Sequence, residues 1–121
     1  MRDLDRSEAW YTAALGFERI FDHRDDERGL HGRVLRDPQT RVVLAMMQHD
    51  DLIHGPFEPR RRGLDHLSFA VADRAELRAW ERHLADLAAD YTPFEEVGHG
   101  AAVTARDPDG IALEFYVRGG P

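Results

Sequence analysis

His66 lies within Leu64-Asp65-His66-Leu67-Ser68-Phe69-Ala70-Val71 and Glu114 within Ile111-Ala112-Leu113-Glu114-Phe115-Tyr116-Val117, and both runs alternate as strands do. In the first run Leu67, Phe69 and Val71 share one face and His66, Ser68 and Ala70 the other. In the second, Leu113, Phe115 and Val117 oppose Ala112, Glu114 and Tyr116. A carboxylate in the middle of an apolar strand is costly to bury unless a positive group meets it. If the two strands are neighbours, an imidazole and a carboxylate share one face, a mixed donor set suited to Zn, Fe(II), Mn, Ni or Co. A second histidine would complete a two-His, one-carboxylate triad with positions open for substrate. The alternative for His66 is a cleft histidine hydrogen-bonded to Glu114 without metal. Tyr116, on the face of Glu114, can donate to a substrate oxygen, act as an acid, or simply pack.

The elements that must position these groups come from a repeat. Asp-x-x-Glu occurs at Asp5-Arg6-Ser7-Glu8 and at Asp73-Arg74-Ala75-Glu76, and Arg-Asp-Pro at Arg36 and at Arg106, so positions 5 to 73 and 36 to 106 give offsets of 68 and 70. Asp followed three residues later by Glu is a helix-opening pattern. Trp10, Ala14 and Phe17 form a short apolar stripe in the first helix, which Gly16 ends; Leu77, Trp80, Leu84 and Leu87 form a longer one in the second. Strand-like runs follow each helix at 17–21, 33–36 and 41–49, and at 91–97, 101–106 and 111–117, with the Asp-Pro turns pairing the last two of each set. The segment HGPFEPRRRG, rich in Pro and Gly, separates the halves. The second half opens with the strand carrying His66, whereas the first opens with its helix. The chain therefore reads as short of the first strand of its first module.

At 121 residues the chain is expected to be a single domain, with module one at 1–55, linker 56–63 and module two at 64–121. Sixteen Lys plus Arg against 23 Asp plus Glu give a net charge of −7, which argues against nucleic acid and anionic membranes as partners. The absence of cysteine excludes disulfides, thiolate ligands and a Cys nucleophile. No stretch reaches the roughly 20 apolar residues of a membrane span, and the opening MRDLDRSEAW lacks the apolar core of a signal peptide. A cytoplasmic protein acting on a small molecule is the expectation.

The paired βαβββ pattern, GLDHLSFAV and RDPDGIALEF together resemble the vicinal oxygen chelate superfamily, which includes glyoxalase I, extradiol ring-cleaving dioxygenases, fosfomycin-resistance thiol transferases and bleomycin-binding proteins. The resemblance spans nearly the whole chain. It implies an α+β fold of two βαβββ modules forming a curved mixed sheet with a cleft, a divalent metal ion as cofactor, a homodimer, and metal ligands on the first and last strands of each module. His66 and Glu114 fall on the second-module positions. In the first module the last-strand position falls near Leu44 or Ala45, which cannot coordinate, and His49, on the face of Ala45, is the substitute, or Gln48 if a bulge shifts the register. Met47, Ser68 and His99 are the expected cleft residues beside them. Two functional classes follow: a metal-dependent lyase or dioxygenase acting on vicinal oxygens, with Glu114 and Tyr116 as catalytic groups, and a metal-free small-molecule binder of the bleomycin-binding type. Adding about ten upstream residues, enough for one strand, is expected to raise the melting temperature and metal content; equal values for the two forms would contradict the missing strand.

Overall fold

The computed structural model describes residues 1–119. Among them, two helices and seven strands make an α+β fold of two βαβββ-like modules, the first one strand short of the second. The chain divides into two compact units, the first ending at Pro56 and the second beginning at Phe57.

The first unit comprises α1 (Leu4–Leu15), β1 (Glu18–Asp25), β2 (Leu30–Arg36) and β3 (Val43–His49), its strands in the antiparallel order β1-β2-β3. Helix α1 opens at Asp3, not Asp5: the Asp3 backbone is extended and its side chain accepts from the Arg6 N–H at 3.0 Å. Asp5 and Glu8 are thereby free for another task. The helix ends as expected at Gly16, whose φ of 72° is costly for a residue with a Cβ. Its buried face is Leu4, Ser7, Tyr11 and Ala14; of the expected stripe Ala14 and Phe17 are buried, while Tyr11 rather than Trp10 takes the inward position.

The first turns of α1 also meet Arg33, which is only 8% exposed. Its guanidinium reaches Asp5 at 2.6 Å, Glu8 at 2.8 Å and Asp22 at 2.7 Å. Asp22 also accepts from His31 at 2.8 Å, and these two partners, His31 foremost, hold its carboxyl down from the ordinary 3.8 to about 2.

The second unit comprises β4 (His66–Ala70), α2 (Arg74–Asp86), β5 (Asp90–Val97), β6 (Gly100–Arg106) and β7 (Ala112–Arg118), in the sheet order β4-β7-β6-β5. Strands β4 and β7 run parallel and the other pairs antiparallel. At the start of α2 the Asp73 side chain accepts from the Glu76 N–H at 2.8 Å, and Glu76 reaches back to the Ala72 N–H at 2.6 Å. Leu77 and Leu84 are fully buried and Trp80 stacks on Phe115 at 4.2 Å, so α2 covers the β7 face bearing Leu113, Phe115 and Val117. Leu87 does not extend this stripe; it caps the helix and is 41% exposed.

The two Arg-Asp-Pro turns share one device. Asp37 accepts from the Gln39 N–H and the Thr40 hydroxyl, while Asp107 accepts from the N–H groups of Asp109 and Ile111. The repeat in the sequence is a repeat of turn chemistry.

Replacing Arg33 by Ala leaves three carboxylates facing one another. We expect a loss of about 2 kcal/mol in chemical denaturation, below the cost of breaking a fully buried pair because Asp5 remains 87% exposed. Because the Asp22 carboxyl is depressed on folding, its contribution is complete above the ordinary value and is lost as pH falls from about 4 toward 2; Asp22→Asn is expected to flatten that stretch of the melting-temperature profile.

Candidate functional site

Parallel pairing sets Ser68 opposite Glu114 and His66 opposite Ala112. With Leu113, Phe115 and Val117 buried beneath α2, strand alternation places Glu114 and Tyr116 on the sheet's other face. His66 Nε2 lies 4.0 Å from Glu114 Oε1. The Ser68 hydroxyl donates to the same Oε1 at 2.7 Å. The carboxylate thus meets a polar neighbour and a titratable one, which answers how an acid is accommodated in this strand.

The other imidazole nitrogen is engaged as well. His66 Nδ1 lies 2.6 Å from Asp65 Oδ1. The Asp65 hydrogen bond, opposed by partial burial and reinforced by the charge of Glu114, raises the His66 pKa above its ordinary value. In the neutral ring a proton on Nδ1 faces Asp65 and leaves the Nε2 lone pair directed toward the Glu114 side, the orientation a carboxylate imposes on a metal-binding histidine. Asp65 was not anticipated from the sequence, because strict alternation sends it to the face opposite His66. It lies one residue before β4, where the pleat does not constrain it.

The remaining expected residues are distributed as follows. Tyr116 donates its hydroxyl to the His99 carbonyl at 2.9 Å, and that carbonyl also accepts from the Gly119 N–H at 2.6 Å. His99 therefore contributes through its backbone, fastening the β5–β6 turn to β7. The turn needs glycine at position 100, where a Cβ would come within 2.0 Å of the Val117 carbonyl oxygen. A cavity of about 1060 Å³ opens beside it, lined by His99, Tyr116, Arg74, Glu96 and Arg118 among others; His66 and Glu114 are not in its wall. In the first unit His49 ends β3 opposite Leu30 and is exposed, and Met47, 40% exposed, lies opposite Gly32. Gln48 accepts from the Leu4 N–H at 3.0 Å, and β3 pairs with β2 in unbroken register, so the bulge that would turn Gln48 to the other face is not formed. Among the described residues no group of three or more His, Cys, Asp or Glu side chains forms a metal-holding cluster. His66 and Glu114 supply two donors, so they fit a divalent ion as part of a set and not as a whole one.

The profile of the glyoxalase/bleomycin resistance protein/dioxygenase superfamily matches residues 1–115, and the chain belongs to that family. A glyoxylase/bleomycin resistance protein/dioxygenase domain from Frankia sp. EAN1pec is 34% identical, with a TM-score of 0.86 over 98% of this chain and 91% of that one. A glyoxalase family protein from Enterococcus faecalis is 22% identical, with a TM-score of 0.77 over 94% and 88%. A mutant of the fosfomycin resistance protein FosX from Listeria monocytogenes, complexed with Mn(II) and 1S,2S-dihydroxypropylphosphonic acid, is 16% identical, with a TM-score of 0.70 over 96% and 84%. The last two likenesses are of fold alone. No curated protein matches the sequence. No helix among the described residues is long and apolar enough to cross a membrane.

Asp65→Asn is expected to move the His66 titration, followed by its ring proton resonances, downward by more than Glu114→Gln does, since the Asp65 hydrogen bond is the larger cause. An unchanged titration in Asp65→Asn would remove Asp65 from the site.

Proposed function

We propose that this chain is a small-molecule enzyme of its superfamily in which His66 Nε2 and Glu114 hold a divalent ion, completed by a donor outside this pair, for a substrate carrying two neighbouring oxygens. The observation that carries the reading is the 4.0 Å approach of His66 Nε2 to Glu114 Oε1, with Nδ1 already committed to Asp65. A bound ion of this type would supply Lewis-acid polarisation of the substrate oxygens. The protein's own groups do the rest. Asp65 orients the ring, Ser68 fixes one carboxylate oxygen of Glu114, and Tyr116, whose hydroxyl donates to the His99 carbonyl, offers a phenolic oxygen that accepts from a substrate hydroxyl. Mn(II) in the FosX complex supports the choice of a divalent ion, and the homodimer expected from the resemblance belongs to the same proposal.

A second reading rests on the lack of a three-donor cluster among the described residues: the same face binds a small molecule without metal. Titration with Mn(II), Zn(II), Ni(II) and Co(II), with elemental analysis of protein purified without chelators, separates the two. We expect one ion per chain, a loss of affinity of about a hundredfold or more in His66→Ala and Glu114→Gln, and about tenfold in Asp65→Asn. Affinity should rise with pH through the raised His66 pKa, because the ion competes with a proton for Nε2. Failure of all four ions to bind would leave the metal-free reading.

A further inference from the structure

Of the arginines described, only Arg33 and Arg106 are withdrawn from exposure. Arg33 is surrounded by three carboxylates. The Arg106 side chain makes no hydrogen bond, ion pair or ring contact among the described residues, and its Nη1 is buried without a hydrogen-bond partner there. A guanidinium carries five N–H donors and its charge cannot be relieved by losing a proton, so removing part of it from water without an acceptor is costly. In a chain with a net charge of −7 there is no shortage of carboxylates to pair with it. Asp90 even lies directly opposite Arg106 across the β5–β6 ladder, yet the two form no ion pair.

The register says what Arg106 faces. His66 pairs with Ala112, and Ala112 pairs with Arg106, so the three form one row across β4, β7 and β6. The next row is Ser68, Glu114 and Thr104. Arg106 is therefore on the face of Glu114, two strand spacings from His66, or roughly 10 Å between backbones. Along that row Ala112 is the one residue between them. Glu114 does not reach across to neutralise Arg106, being turned toward Ser68 and His66.

We propose that Arg106 anchors a carboxylate of the ligand, and that this face takes small carboxylic acids with a second oxygen next to the carboxylate. The inference deepens the reading above and rests on it for the location of the site. One guanidinium offers a fork of parallel donors matched to one carboxylate and balances one negative charge, whereas a phosphate or phosphonate dianion would leave a charge uncompensated beside Glu114.

The test is calorimetric or NMR titration of the full chain with pyruvate, glycolate, methyl pyruvate and inorganic phosphate, with and without Mn(II). We expect pyruvate and glycolate to bind more tightly than methyl pyruvate or phosphate. Arg106→Gln should weaken the two acids by about tenfold or more, leave methyl pyruvate unchanged, and keep the Mn(II) affinity of the native protein; Arg106→Lys should restore part of the loss. Should Arg106→Gln fail to fold, Arg106→Lys alone must still weaken the acids relative to the ester. Acid binding that depends on Arg106 in a protein that binds no metal would sink the metal reading and leave this one standing, and metal binding with no acid binding would do the reverse. The proposal is also overturned if phosphate is preferred, if the acids bind Arg106→Gln as well as the native chain, or if a double-mutant cycle with Asp90→Asn shows that the two side chains pair in solution.

Discussion

The packing of α2 against one face of β7 is the constraint from which the site descends. Strand side chains alternate with a period of two, so burying Leu113, Phe115 and Val117 beneath Leu77, Trp80 and Leu84 leaves Glu114 and Tyr116 no face but the other. A slip of one residue would carry the Glu114 carboxylate under the Trp80 ring and expose the phenyl ring of Phe115. The cost of that exchange, an unpaired acid in an apolar layer together with a lost aromatic stack, holds the functional face in register. Parallel pairing with β4 then does the second half of the work, because it sets Ser68 opposite Glu114 and brings His66 within one row of it.

The two units show how one architecture accommodates polar groups differently. In the first, a buried arginine is closed off by Asp5, Glu8 and Asp22, so that its charge is fully met inside the unit. In the second, the carboxylate, the imidazole and Arg106 are each incompletely matched: Glu114 has one hydroxyl donor, His66 keeps one nitrogen for whatever approaches, and Arg106 Nη1 is buried without a hydrogen-bond partner among the described residues. Polar groups in that condition are sustained at sites where a ligand completes them. Superfamily membership and the 34% identical Frankia structure account for the fold; the proposed chemistry is argued from this uneven matching.

Helix termini illustrate how far local patterns could be read. The Asp-x-x-Glu at Asp73 is a working cap, whereas the same pattern at Asp5 is not, because Asp3 takes the capping position and releases Asp5 and Glu8 to Arg33. Either aspartate can cap a helix, and the one followed three residues later by Glu is not the one that does. Only the presence of a buried guanidinium from β2 separates them, and that is a long-range fact. Asp65 escapes the pattern for a related reason: alternation holds within a strand and lapses just before its first residue.

By itself the sequence determined the repeat, the strand faces and the positions of the Asp-Pro turns, and it offered an imidazole and a carboxylate on two strands, because each depends on short-range periodicity or on the chemistry of neighbouring residues. The tertiary structure decided which residues face α1, the adjacency of the strands bearing His66 and Glu114, the role of the His99 carbonyl, the carboxylate behind His66 and the burial of Arg106 Nη1 without a hydrogen-bond partner among the described residues. Those follow from which strands become neighbours and where a side chain's partners stop, and no local pattern encodes the absence of a partner.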